Sequence, residues 1–183
     1  NVGKENFYPL HLCSCSDCEL LQLDHTVPKE TMFQDHQYLS GMTKTLINHF
    51  YEVAEENTEQ FDIQQGDLIV DIGGNDGSQL KQYQKLGCDN VLNIESAIRV
   101  SDIARKNGVP TLTEFFDEDT VDSQLGEKTV KLYNASGVFF HLEELHSVIR
   151  GIKKSLRDDG VLIVQFMYAG AMIEGKNFDT IYH

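Results

Sequence analysis

Asp71, Gly73, Gly74, Asn75 and Gly77 fall within LIVDIGGNDGSQLKQY, and Glu95, followed by Ser96, closes the apolar run NVLNIE. These types at these spacings suit a ligand. Glycine lets the backbone turn tightly and approach a bound group closely. A dinucleotide fingerprint would read G-x-G-x-x-G, whereas this turn reads D-x-G-x-N-x-G. A carboxylate at Asp71 would repel a pyrophosphate at the N-terminus of the next helix, but not an ammonium or sulfonium group. Glu95 offers two carboxylate oxygens, enough for both hydroxyls of a ribose. A nucleoside with a cationic tail in place of phosphates describes S-adenosylmethionine. The competing reading is a tight turn with Glu95 as a surface acid. The conjunction on two successive strands favours the nucleoside.

Other residues could do chemistry. Cys15 and Cys18 have the C-x-x-C spacing of a zinc knuckle, and tetrahedral zinc takes four ligands. Cys13 lies on the preceding strand, His11 and His25 flank the motif, and no second ligand pair follows, so half a site is present. Cys88 reads as a packed residue. His141, in GVFFHLEEL, is either a general base at the carboxyl edge of a sheet or a cap for helix amides. Tyr38, in HQYLSG, either faces a substrate or covers the start of a helix. Tyr182 and His183 read, from position alone, as a chain end. His25, His36 and His146 read as surface or packing residues. Glu143, Glu144, Asp158 and Asp159 read as solvated charges.

The elements that must position these residues alternate. Strands are expected over 67–72, 90–95, 109–112, 128–136 and 160–168, the last after a DDG turn. Helices are expected over 77–86, 98–107, 117–125 and 142–156. Such alternation gives a Rossmann-like, doubly wound, mostly parallel α/β sheet. An amphipathic helix within SGMTKTLINHFYEVAEENTEQF, capped by Ser40 or Thr43, precedes it. YPLHL and ELLQL flank CSCSDC as a small β-hairpin with a cysteine-bearing tip. The expected division is 1–37 for the hairpin region and 38–183 for the nucleotide-binding domain.

The chain of 183 residues carries 15 basic and 29 acidic side chains, a net charge of -14. That balance argues against a nucleic-acid partner. No apolar run reaches the ~20 residues of a membrane span, and the cysteine usage suits a reducing, cytoplasmic setting. The first residue is Asn and the last are NFDTIYH, which reads as a piece of a longer protein.

VDIGGNDGSQL and VLNIES resemble the class I S-adenosylmethionine-dependent methyltransferases. Within them, YPLHLCSCSDCELLQL, FQDHQYLSG, NASGVFFHLEEL and FDTIYH resemble, in order, the sugar C-methyltransferases. The resemblance implies methylation of a carbon of a nucleotide-linked keto-deoxysugar, with a structural zinc whose other two cysteines lie upstream. It implies Gly after the second cysteine, where this chain has Glu19. It gives Asp71, Gly73, Asn75 and Glu95 to the cofactor and Asn134 to its methionine part; Phe115 or Phe116, after the third strand, either lies against the adenine or packs in the core. His141 becomes a site histidine, Tyr38 faces the sugar, and Tyr182 stabilises an enolate. His183 has a weaker claim, because the family's base follows two residues later. Without that continuation, weak or no turnover is expected of this chain. The alternatives are an O-methyltransferase of another small molecule, a dinucleotide-binding module and a non-catalytic fragment.

Overall fold

A computed structural model describes residues 7–177, so Tyr182 and His183 lie outside the described residues. The cysteine run forms the expected hairpin, with β1 (Leu12–Ser14) antiparallel to β2 (Leu21–Leu23) and Leu12 opposite Leu23. Its turn closes through Cys15 N–H to Leu20 O at 2.9 Å and Glu19 N–H to Cys15 O at 3.0 Å. Glu19 has φ 60°, the left-handed conformation that favours the glycine expected there. After the hairpin come α1 (Lys29–Phe33), a 3₁₀ turn (Ser40–Met42) and α2 (Lys44–Gln60). Thr43 is the cap of α2, its hydroxyl accepting from Leu46 N–H at 3.4 Å.

The remaining strands are β3 (Leu68–Ile72), β4 (Val91–Ile94), β5 (Thr111–Leu112), β6 (Val130–Ser136) and β7 (Leu156–Gln165). They form one parallel sheet in the order β5-β4-β3-β6-β7. The chain runs outward from β3 in one direction, then returns to its other side at β6. The gap between the carboxyl ends of β3 and β6 is therefore the switch point at which such sheets bind ligands.

The helices are α3 (Ser78–Lys85), α4 (Ile98–Lys106), α5 (Glu118–Thr120), α6 (Leu145–Ser155) and α7 (Ala169–Gly175). Ala54 of α2 and Leu80 and Tyr83 of α3 pack on one sheet face, against Ile69, Val91 and Leu132. Val148 and Ile152 of α6 pack on the other face with Val70, Ile72, Tyr133 and Ala135. Burial of an aliphatic side chain of this kind is worth about 1.5–3 kcal/mol. No helix among the described residues is long and apolar enough to cross a membrane.

Three expectations need correction. The DDG segment is not a turn. β7 begins at Leu156 and runs through it, with a register break between the Val130–Leu156 and Leu132–Val161 pairs. Lys131 Nζ holds the Asp159 carbonyl and carboxylate, each at 2.9 Å, and Arg157 binds Asp67 and Asp159, so the segment stays extended. The helix expected from Leu142 begins at Leu145, because Phe139–His141 form a 3₁₀ turn and Leu142 is extended. The helix over 117–125 is a single α turn, α5, continued as a π turn over Val121–Leu125.

Candidate functional site

Ile72 and Gly73 end β3 at the floor of a cavity of about 340 Å³, a size that suits a small ligand. Gly73 has φ +64°, and a Cβ there would lie 2.8 Å from Val138 Cγ2 in the loop after β6. Conformation and close approach both require glycine. The turn closes with Gly77 N–H to Gly74 O at 3.0 Å, and α3 follows.

Glu95 forms a side wall with Ser96 and is only 4% exposed. Its Oε2 accepts Asn75 N–H at 3.1 Å and its Oε1 accepts Ala97 N–H at 2.8 Å. Each carboxylate oxygen has a second lone pair, so two hydroxyls could still be accepted. Phe115 and Phe116 line the same cavity. Lys29 Nζ sits 4.9 Å from the Phe115 ring centroid, and Phe116 stands edge-on to buried Tyr133. His141 reaches the cavity from its 3₁₀ turn, its ring 5.2 Å from Phe33 and 4.4 Å from Phe140. Tyr38 lines the mouth and is 64% exposed.

Asp71, Gly74, Gly77 and Asn134 do not line this cavity. Alternation along β3 puts Ile72 toward it and Asp71 on the opposite sheet face. Asp71 is 1% exposed, level with Asn93 on β4 and Asn134 on β6. Neither Asp71 oxygen, nor Asn93 Oδ1, nor Asn134 Nδ2 has a hydrogen-bond partner among the described residues. Burial, with Glu95 as a nearby like charge, pushes the Asp71 carboxyl well above the usual carboxylate range. Asn134 Oδ1 accepts from Tyr83 OH at 3.3 Å, and Asn57 Nδ2 donates to that hydroxyl at 2.8 Å. Burial pushes the Tyr83 phenol up to about 12.

The sequence reading passed over several cavity residues. His36 Nε2 lies 3.6 Å from Glu95 Oε1. Lys29 donates from Nζ to Glu144 Oε2 at 2.6 Å and from its backbone to Glu143 Oε2 at 3.2 Å. Glu143 and Glu144 are thus cavity residues rather than free surface charges.

Among the described residues the cysteine turn supplies two of the four ligands that tetrahedral zinc takes. Cys15 and Cys18 supply two sulfurs, with backbone N–H groups of Asp17 and Cys18 holding the Cys15 thiol below its ordinary value. His11 pairs with Asp24 at 3.4 Å, and His25 stacks on Tyr8. Among the described residues no three metal-ligating side chains come together. Cys88 is packed in the core, where burial raises its thiol.

A parallel sheet with a glycine turn after its central strand, and an inward acid ending the next, defines a Rossmann-like nucleoside-binding domain. The chain belongs to the methyltransferase-domain family, whose model matches residues 70–164. Residues 1–33 match the family described as "Putative zinc binding domain". The C-methyltransferase NovU of Streptomyces niveus is 25% identical over 185 aligned positions. That alignment covers all of this chain and 44% of the relative, so the chain spans less than half of that protein's length.

Among solved structures, a "putative s-adenosyl-l-methionine-dependent methyltransferase" of Methanococcus maripaludis superposes with TM-score 0.57 at 16% identity. The match covers 76% of this chain and 70% of that one. The [4+2]-cyclase SpnF superposes with TM-score 0.54 at 18% identity, over 66% of this chain and 47% of that one. These likenesses show the fold, the Rossmann-like fold of S-adenosylmethionine-dependent methyltransferases. The cyclase shows that the fold alone does not set the reaction.

The residues present fit a nucleoside. The cradle at Gly73 excludes even a methyl group, and the carboxylate beside it has lone pairs to offer a cavity of suitable volume.

Proposed function

We propose that this chain is the cofactor-binding part of an S-adenosylmethionine-dependent C-methyltransferase acting on a nucleotide-linked keto-deoxysugar. The observation that supports it most is Glu95, held by two backbone N–H groups on the cavity wall beside the Gly73 turn. In this reading Glu95 and Ser96 bind the ribose, Gly73 and Asn75 shape the cradle, and Phe115 and Phe116 flank the adenine. Asp71, Gly74, Gly77 and Asn134 act from behind, holding the turn. The bound cofactor supplies an electrophilic methyl group.

His141, on the cavity wall, removes the proton beside the ketone of the acceptor. Tyr38, at the exposed mouth, positions the sugar, and Tyr182 stabilises the developing enolate oxygen, His183 having the weaker claim to a role. The carbon acceptor is inferred from the relative, a C-methyltransferase, and from the resemblance of the motifs. The division at 37/38 is kept as part of the proposal, with the segment around Tyr38 crossing it. Cys15 and Cys18 supply half of a structural zinc site, which takes no part in the chemical step.

The test is titration of S-adenosylhomocysteine by calorimetry with NAD as the control, followed by transfer of labelled methyl to nucleotide-linked keto-deoxysugars. Binding of the first ligand alone, with label on a sugar carbon, is the expected result. Preference for NAD, or label on oxygen, would overturn the cofactor or the acceptor reading respectively.

A further inference from the structure

The segment from Lys29 to Met42 lies across the mouth of the cavity and is fastened at both ends. At its start, Lys29 is held by Glu143 and Glu144 and sits over Phe115. At its end, Asn75 Nδ2 donates to Tyr38 O at 3.1 Å, Asn75 Oδ1 accepts Ser40 N–H at 2.9 Å, and Asp76 Oδ2 accepts Gly41 N–H at 2.9 Å. Between the two fastenings, Phe33 rests on His141 and His36 faces Glu95.

These contacts form a ring. Asn75 has φ 53°, a left-handed conformation that asparagine tolerates better than most residues. Its backbone N–H is on Glu95, and its side chain is on the strap. The strap in turn returns His36 to Glu95 Oε1. At 3.6 Å this last contact is too long for a formed hydrogen bond, and a small inward shift of the strap would make it one.

We propose that His36 is a positioning residue for the nucleoside, turning the free Oε2 lone pair of Glu95 toward a ribose hydroxyl from a strap that Asn75 latches over the bound ligand. The proposal rests on the nucleoside reading given above. The imidazole Nε2 approaches Oε1, which already accepts the backbone N–H of Ala97, so with Asn75 N–H on Oε2 the closed arrangement leaves one lone pair, on Oε2, for a ribose hydroxyl. The carboxylate is then fixed in rotation before the ribose arrives, so less freedom is lost on binding. The latch has a kinetic consequence, because the ligand leaves only after the strap lifts.

The experiment uses the full chain and S-adenosylhomocysteine, with affinity from calorimetry and dissociation from stopped-flow. His36→Ala is expected to weaken binding by about 10-fold, one charge-assisted hydrogen bond, while His36→Gln, which keeps an N–H donor at similar reach, recovers to within about 3-fold. Asn75→Ala is expected to raise the dissociation rate more than it lowers the association rate. Unfolding midpoints without ligand establish that each variant is folded, and His36→Asn, with its donor drawn back, replaces His36→Ala should the latter not fold. Equal affinity of His36→Ala and the unaltered chain would overturn the proposal. So would equal losses in His36→Ala and His36→Gln, the mark of simple packing. Absence of S-adenosylhomocysteine binding to the unaltered chain would overturn the nucleoside reading itself, a result distinct from unchanged binding in the His36 variants.

Discussion

Glu95→Gln separates what the carboxylate does for the fold from what it does for a ligand. In the unliganded protein each oxygen of Glu95 accepts one backbone N–H, Oε1 from Ala97 at 2.8 Å and Oε2 from Asn75 at 3.1 Å. Glutamine has the same shape but one acceptor oxygen. Whichever way its amide turns, an NH₂ group meets one of those N–H donors. At a site 4% exposed, this leaves a buried donor unpaired, at a cost of about 1–3 kcal/mol. Where Asp71 is ionised, part of that is offset, because the substitution removes the repulsion between Glu95 and the buried Asp71 carboxylate. Denaturant unfolding without ligand reads this sum.

Binding adds an independent loss. Glu95 keeps a carboxylate lone pair for the ribose, and glutamine loses that charge-assisted bond, about 1.5–3 kcal/mol or roughly 10- to 150-fold in Kd. Calorimetry with S-adenosylhomocysteine on the folded variant measures it. Binding within twofold of the unaltered chain would refute the assignment of Glu95 to the ribose, whatever the effect on stability.

Asp71→Asn tests the buried row beneath the turn. The Asp71 carboxyl is raised in the fold, so its contribution is fully present below the unfolded value, about 3.9, and is lost as pH rises through the folded value. The variant cannot ionise, so unfolding curves between pH 5 and 8 should show its stability gaining on the unaltered chain as pH rises. A difference independent of pH would contradict this. Tyr83→Phe removes the hydroxyl that accepts from Asn57 and donates to Asn134, and is expected to cost about 1–3 kcal/mol in urea unfolding. Gly73→Ala places a methyl 2.8 Å from Val138 Cγ2 in a left-handed conformation, at a cost of about 2–4 kcal/mol. Adding Val138→Ala should restore part of that loss, and no restoration would show that the backbone conformation alone is responsible.

The parts of the fold legible in the sequence are those encoded locally. LIVDI, VLNI and VKLYNAS read as strands because a sheet covered on both faces needs continuous apolar runs. Glu19 was legible as a strained position only through the resemblance, which implies glycine there; its φ is 60°. The face chosen by Asp71 was half legible. Alternation separates it from Ile72, but with both faces covered only the approach of Val138 to Gly73 says which faces the cavity. RDDG misled for the opposite reason: its composition is that of a turn, and ion pairs to Lys131 and Asp67, distant in sequence, keep it extended. His36 and the strap left no local trace, since their partners Asn75, Glu95 and Glu144 lie far along the chain.

The glycine turn is thus held from two sides by different physics. Below it, Asn93, Asp71 and Asn134 share one register across three strands, and Asn93 Nδ2 donates to Asn75 O at 2.9 Å. Above it, the side chains of Asn75 and Asp76 hold the backbone of the strap. Gly74 fits between because a Cβ there would lie 2.5 Å from Asn93 Oδ1 and 2.7 Å from Asp71 Oδ2. In the proposed reading Asp71, outside the cavity lining, would act on a ligand through the shape of the turn, whereas Glu95, on the cavity wall, would act by contact. The two acids, alike on the sequence, should separate in experiment: Asp71 governs how stability varies with pH, and Glu95 governs affinity for the nucleoside.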